Sequence, residues 1–233
     1  PDKVGLFPKF SWPRVAAPAC EYDLDGNICN DIEAEEARAC AEIEAAFEHA
    51  AANGTHIAAI LIEPMQGEGG DNHFRTELLQ ALRRYADERE ALLIFDEVQT
   101  GFFGSGKPWL WQHHGVAPDV VSFGKKTQVC GMYAGPRINE VERNVFVEPS
   151  RINSTFGGNL VDIVRFQRVL EIIEEDRLVD NAAKVGAVFL DALQGLQAKY
   201  DSLISNTRGR GLFLALDLPD AETRNRMVDI CMD

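Results

Sequence analysis

Hydrophobic positions return along this chain in two rhythms. Ile32, Ala39, Ile43, Ala46 and Phe47 fall on one stripe of a helix, and the stripe fades at Asn53-Gly54. Asp31 stands where an N-cap belongs. Leu78, Leu79, Leu82 and Tyr85 repeat the helical spacing across 74–90, and Ile163, Phe166, Val169, Leu170 and Ile173 repeat it across 160–175. A further helix is predicted over 179–198, ahead of a strand over 212–218. Short unbroken apolar runs at 57–62, 92–95 and 120–123 predict buried strands, and Pro64 with the glycines after it predicts a loop. Strand, helix, strand is the unit of a parallel sheet with right-handed crossovers, so the pattern predicts an α/β fold. Residues 1–30 are rich in Pro, aromatic and acidic residues without a period, and predict an extended loop.

Parallel sheets bind ligands beyond the C-terminal ends of their strands. That rule places Glu63 to Gly70, Asp96 to Gln99 and Lys125 on one rim. An acid and an amine meeting there could hold pyridoxal phosphate, which makes two demands of a protein. Its aldehyde needs an amine, and its ring works as an electron sink when a carboxylate keeps the ring nitrogen protonated. Asp96 would serve the nitrogen and Lys125 the aldehyde. Taken alone, a lysine after a strand is usually solvated and an acid ending a strand is often a cap.

Longer strings narrow the choice. Glu63-Pro64-Met65-Gln66-Gly67-Glu68-Gly69-Gly70, Phe95-Asp96-Glu97-Val98-Gln99-Thr100-Gly101, Phe123-Gly124-Lys125 and Ser154-Thr155-Phe156-Gly157-Gly158-Asn159 occur in this order. Together they resemble the class III, pyridoxal-phosphate-dependent aminotransferases. Phe123 to Gly131 and Ser150 to Thr155 look most like the lysine 6-aminotransferase branch, with the 4-aminobutyrate branch next.

The resemblance implies a fold-type I transferase, with the mostly parallel sheet of a large domain and the start of a smaller α+β C-terminal domain. It divides the chain into a coenzyme domain over 1–159, a connecting helix over 160–178 and an incomplete small domain over 179–233. It makes Lys125 the coenzyme-binding and proton-moving lysine, with Lys126 a neighbour of unassigned role. Asp96 becomes the partner of the ring nitrogen, Val98 a ring-face contact and Gln99 a neighbour of the ring hydroxyl. Glu68 matches the acid that pairs with a substrate-site arginine. Ser154 and Thr155 match residues that reach the coenzyme phosphate of a neighbouring subunit, which implies a homodimer with shared sites. The implied substrates are L-lysine and 2-oxoglutarate, with 4-aminobutyrate or ornithine as alternative donors. A phosphate-holding turn, a ring-stacking aromatic and a carboxylate-binding arginine of the family are not matched in this chain. It therefore reads as an internal fragment, or as a non-catalytic remnant.

Composition adds exclusions. The chain has 233 residues, 45% of them hydrophobic, enough for a large core. A formal charge of -14 disfavours nucleic acid and anionic membranes as partners. No apolar run is long enough to span a bilayer, and five scattered cysteines without ligand spacing predict a reducing cytoplasm and no metal. Cys130 reads more readily as a small filler than as a nucleophile. Gly101 to Lys107 spells G-x-x-x-x-G-K, but Pro108 stands where a phosphate loop needs Ser or Thr. Adjacent His113 and His114 point to different faces and do not make a metal site. Locally, the glycines of 67–70 also suit a tight turn, Ser154 and Thr155 also suit a helix cap, and Arg208 and Arg210 suit a surface loop.

Overall fold

A computed structural model describes residues 8–232, so the first seven residues of the predicted N-terminal loop lie outside the described residues. Residues 8–30 run without regular structure apart from a bridge between Tyr22 and Ile28. Helix α1 (Ile32–Ala52) begins where Asp31 accepts the Ala34 amide on its side chain, and it buries Ile32, Ala39, Ile43 and Phe47. Strand β1 (Ala59–Ile62) follows, then the two-residue strands β2 (Met65–Gln66) and β3 (Asn72–His73) and helix α2 (Thr76–Glu88). Strand β4 (Leu92–Asp96), the single-turn helix α3 (Trp111–His114), β5 (Val120–Phe123) and β6 (Gly131–Ala134) complete the central region.

The main sheet has the order β1-β4-β5-β6, with β1, β4 and β5 parallel and β6 antiparallel. Leu93 and Phe95 project from β4 into a core shared with Phe47, Leu78, Leu79 and Leu82 of the helices. Burying each such side chain contributes about 1.5–3 kcal/mol. At the N-terminal ends of β4 and β5, Asp119 accepts the Leu93 amide at 2.7 Å and pairs with Arg83 at 2.9 Å and Arg137 at 3.2 Å. That buried carboxylate pins the edge of the sheet opposite Lys125.

Three expectations are corrected here. The run 57–62 forms only Ala59–Ile62, an edge strand with Leu61 64% exposed, because a strand paired on one side alone need not be covered on its other face. The run 92–95 is sealed on one face, at Leu93 and Phe95, and half-buried on the other, so it alternates as a strand with one covered face does. The loop after Pro64 closes a small antiparallel ladder, Met65 opposite His73 and Gln66 opposite Asn72.

The remaining elements are α4 (Leu160–Glu175), α5 (Leu178–Lys199), β7 (Ser205–Arg210), β8 (Phe213–Asp217) and α6 (Ala221–Met232). Strands β7 and β8 form an antiparallel hairpin against α5. Arg208, expected on a surface loop, lies inside β7 and is 6% exposed. The cap of α4 is Asn159, whose side chain accepts the Val161 amide at 3.0 Å, so Ser154 and Thr155 do not cap it. The apolar stripe of α4 has the predicted spacing, yet none of its residues is buried. Among the described residues, no helix is long and apolar enough to cross a membrane.

Candidate active site

The rim at the C-terminal ends of β4 and β5 gathers most of the residues singled out by sequence. Asp96 registers against Ser122 of β5, and the Glu97 amide donates to the Ser122 carbonyl at 3.0 Å. Successive side chains then diverge, as the strand pleat requires. Asp96 is half-buried, and its Oδ1 accepts the Val98 amide at 3.0 Å. Its other oxygen accepts nothing from the described residues.

Glu97 turns the opposite way and is 1% exposed. It accepts the Leu110 amide at 2.7 Å, the Trp111 amide at 2.9 Å and the Thr100 hydroxyl at 3.2 Å. Burial pushes its carboxyl pKa up, and these three bonds oppose the shift. The physical result is a clamp that ties the segment 100–111 beneath the end of β4. This residue was missed by sequence reasoning. The available signal was its parity, one position out of step with Asp96 behind an apolar run.

After β5, Gly124 leads into one 3-10 turn, Lys125 to Thr127. A Cβ on Gly124 would lie 3.0 Å from Cys130 Sγ and 3.5 Å from Val98 Cγ1, so Val98 and Cys130 flank the entry to Lys125. Cys130, expected as a filler, packs at this point but remains exposed, because β6 is the last strand of the sheet. Lys125 is exposed, adopts φ +54°, and donates from Nζ to Gln99 Oε1 at 2.5 Å. Holding a non-glycine residue in that region costs on the order of 1–2 kcal/mol. Lys126 points elsewhere: its amine donates to the Gln99 carbonyl and sits 4.9 Å over the Phe213 ring. Burial and then the charge of Lys125 push its pKa down, while Glu97 opposes them.

The turn 67–70 reaches the same rim. Gly67 packs so closely on Gln99 that a Cβ would fall 2.7 Å from Gln99 Cγ, and Glu63 Oε2 accepts the Gly67 amide at 3.1 Å. Glu68 is the next residue and is exposed. An apolar cavity of about 210 Å³, lined by Phe102, Phe103, Trp109, Phe123, Thr127 and Phe166, adjoins the Lys125 turn. The structure thus brings together Asp96, Val98, Gln99, Lys125 and the turn bearing Glu68. It leaves Ser154 and Thr155 apart, on an exposed turn where the Gly157 amide donates to the Ser154 carbonyl at 3.2 Å. His113 hydrogen-bonds Ser105 and His114 hydrogen-bonds Thr76, so the two rings do diverge. No cluster suited to a metal occurs among the described residues.

Comparison with known proteins decides the family. The profile of "Aminotransferase class-III" matches residues 9–233. The chain belongs to the class III aminotransferase family. An L-lysine-epsilon aminotransferase of Streptomyces clavuligerus is 48% identical over 228 residues, covering 98% of this chain and 49% of that protein. A mitochondrial 4-aminobutyrate aminotransferase of Sus scrofa is 35% identical over 225 residues, covering 96% of this chain and 44% of that protein. A solved lysine aminotransferase from M. tuberculosis, in its internal aldimine form, superposes with a TM-score of 0.89 at 46% identity, covering 97% of this chain and 50% of that one. This class III aminotransferase chain spans about half the length of the curated relatives it matches. Its α/β fold is that of pyridoxal-phosphate-dependent aminotransferases, and the family's cofactor is pyridoxal phosphate.

Proposed function

We propose that this chain serves a transaminase that moves the terminal amino group of L-lysine to 2-oxoglutarate, leaving 2-aminoadipate semialdehyde and glutamate. The observation that carries the reading is the placement of a half-buried carboxylate at the end of β4 and an exposed amine in the turn just after the neighbouring parallel strand β5, with Gln99 hydrogen-bonded to Lys125 at 2.5 Å. The residues present fit pyridoxal phosphate, since Asp96 has one oxygen oriented by the Val98 amide and a second that no described residue engages. When bound, the coenzyme supplies an aldehyde and a protonated ring that draws electrons from the substrate carbon.

Lys125 Nζ would hold the coenzyme by its aldehyde and, with the coenzyme in place, would be the group that moves the proton at the amine-bearing carbon. Asp96 Oδ2 would favour the protonated ring nitrogen. Val98 would pack on the ring, Gln99, which accepts from the Lys125 amine, would stand near its hydroxyl, and Glu68 would pair with a substrate-site arginine. Ser154 and Thr155 would hold the coenzyme phosphate of a second subunit. Their exposed turn, flanked by Phe156 and Leu160 at 80% and 78% exposure, supports a homodimer with shared sites. We also read residues 1–159 as the coenzyme domain, 160–178 as the connection and 179–233 as the beginning of the smaller domain. The separate β7–β8 hairpin supports that division. The five free cysteines support a reducing, cytoplasmic setting.

The preference for lysine over 4-aminobutyrate rests on the higher identity to the L-lysine-epsilon aminotransferase, 48% against 35% for the 4-aminobutyrate aminotransferase. Parallel assays of L-lysine, 4-aminobutyrate and ornithine with 2-oxoglutarate, on the protein that carries this chain, test it. Lysine is expected to give the largest kcat/KM. A larger value for either other donor overturns the choice, and no turnover with any of them favours a remnant.

A further inference from the structure

The turn that bears Glu68 is held from far along the chain. Within the turn, the amides of Gly70 and Asp71 both donate to the Gly67 carbonyl, at 3.2 and 3.0 Å. Gly70 and Asp71 close it with positive φ, +116° and +48°, a region open to glycine and, among other residues, more readily to aspartate. The group that meets both residues from outside the turn is Arg208. Its Nε donates to the Asp71 carbonyl at 3.0 Å and its Nη2 donates to the Gly70 carbonyl. Its Nη1 donates to the Asn206 carbonyl at 2.8 Å and to Asp217 Oδ1 at 2.9 Å.

Three of these four partners are neutral main-chain carbonyls, so the guanidinium acts as a rigid multi-donor fork more than as a counter-ion. The hairpin aims it. The register of β7 and β8 shifts between Ser205 and Arg208, and such an irregularity redirects the side chains beside it. Asn206 steadies the redirected strand by donating to Asp217 Oδ2 at 2.7 Å and accepting the Tyr22 amide at 2.9 Å. The neighbouring Gly209 has no room for a side chain, since a Cβ would meet Leu214 Cδ2 at 2.2 Å and the Phe213 carbonyl at 2.6 Å.

We propose that Arg208 is a positioning residue that couples the β7–β8 hairpin to the 67–70 turn, so that the seat of the hairpin sets where the Glu68 carboxylate stands. The inference rests on the reading of Glu68 as the substrate-site acid. It makes the hairpin part of the active-site framework. A lysine at position 208 would keep the charge but offers one nitrogen in place of the Nε and Nη2 that meet the two turn carbonyls separately.

The test uses Arg208→Lys in the coenzyme-loaded protein that carries this chain, with two readouts. Amide hydrogen exchange across 67–72 is expected to quicken roughly tenfold, the equivalent of one lost charged hydrogen bond. The two half-reactions, followed separately by coenzyme absorbance with lysine and with 2-oxoglutarate, are expected to change in ratio, whereas a general loss of folded protein would scale both alike. Unchanged exchange in a folded variant overturns the proposal. Asp217→Asn loosens the fork from its half-exposed side and decides by the same readouts if Arg208→Lys does not fold. Glu68→Gln separates the two readings. If it leaves the half-reaction ratio alone while Arg208→Lys loosens the turn, the clamp stands and the role given to Glu68 falls.

Discussion

The rim around β4 and β5 and the segment from Ile152 through α4 are comparably apolar in sequence and differ in how they are finished. On the rim, Leu93 and Phe95 are sealed under the helices, and the buried Glu97 receives three hydrogen bonds. In the second region, Ile152, Phe156, Leu160, Val161 and Val164 all face outward, while Phe166 touches Phe102 at a ring distance of 5.4 Å. Spacing determines that both become regular elements, but covering depends on what packs beside them. The rim is ordered by contacts among its own strand ends and the loops that leave them. The α4 surface becomes intelligible through the proposed second subunit, because Ser154 and Thr155 stand in the same exposed stretch.

Lys125→Ala should break the rim most severely, lowering turnover at least about a thousandfold, at the upper end of what a positioned proton carrier contributes. Lys126→Ala, whose amine meets the Gln99 carbonyl, should cost less than about tenfold by the same scale, and steady-state kinetics on both variants checks the contrast. Asp96→Asn should follow, with a loss on the order of a hundredfold in kcat/KM and a weaker hold on coenzyme, measured by titration of the apo-protein.

Glu97→Gln tests the underside of the rim. Losing the charged acceptor of the Leu110 and Trp111 amides should cost about 2 kcal/mol in denaturant unfolding. His73, buried beside the rim with Nε2 unpaired, has its pKa pushed down to about 3, first by burial and then by Arg210 and Arg208. Its ordinary value is 6.5, so as pH falls from 6.5 towards 3 the unfolded chain takes a proton that the folded one refuses, and stability declines. His73→Phe should remove about 1 kcal/mol of the loss between pH 6.5 and 5.5. His113 and His114, with pKa near 4, add slopes of the same sign.

The α4 surface predicts the smallest change in folding. Val164→Glu should shift unfolding by less than about 0.5 kcal/mol, as exposed sites do, while moving the protein to a smaller species in sedimentation. An unchanged sedimentation coefficient would remove the support this face gives to a shared-site dimer.

Much of the rim was legible because its information is local. Asp31 as a cap, Val120–Phe123 as a strand, Leu160–Glu175 as a helix and the convergence of Asp96, Gln99 and Lys125 follow from spacing and from the strand-end rule. What stayed hidden depends on distant residues. The openness of Leu61 depends on β1 lying at the sheet edge, and the burial of Glu97 depends on amides 13 and 14 positions away. Arg208 looked like a loop arginine because its carbonyl partners are 137 and 138 positions away. The β2–β3 ladder is two residues long, too short to have a period.

Lys125, and not its neighbour, is the residue proposed to carry the coenzyme. Borohydride reduction of the loaded protein, followed by proteolysis and fragment-ion sequencing across Gly124 to Gln128, tests it most directly. The coenzyme-derived mass is expected on Lys125. That mass on Lys126, or none on either lysine in protein that has bound the coenzyme, would contradict it.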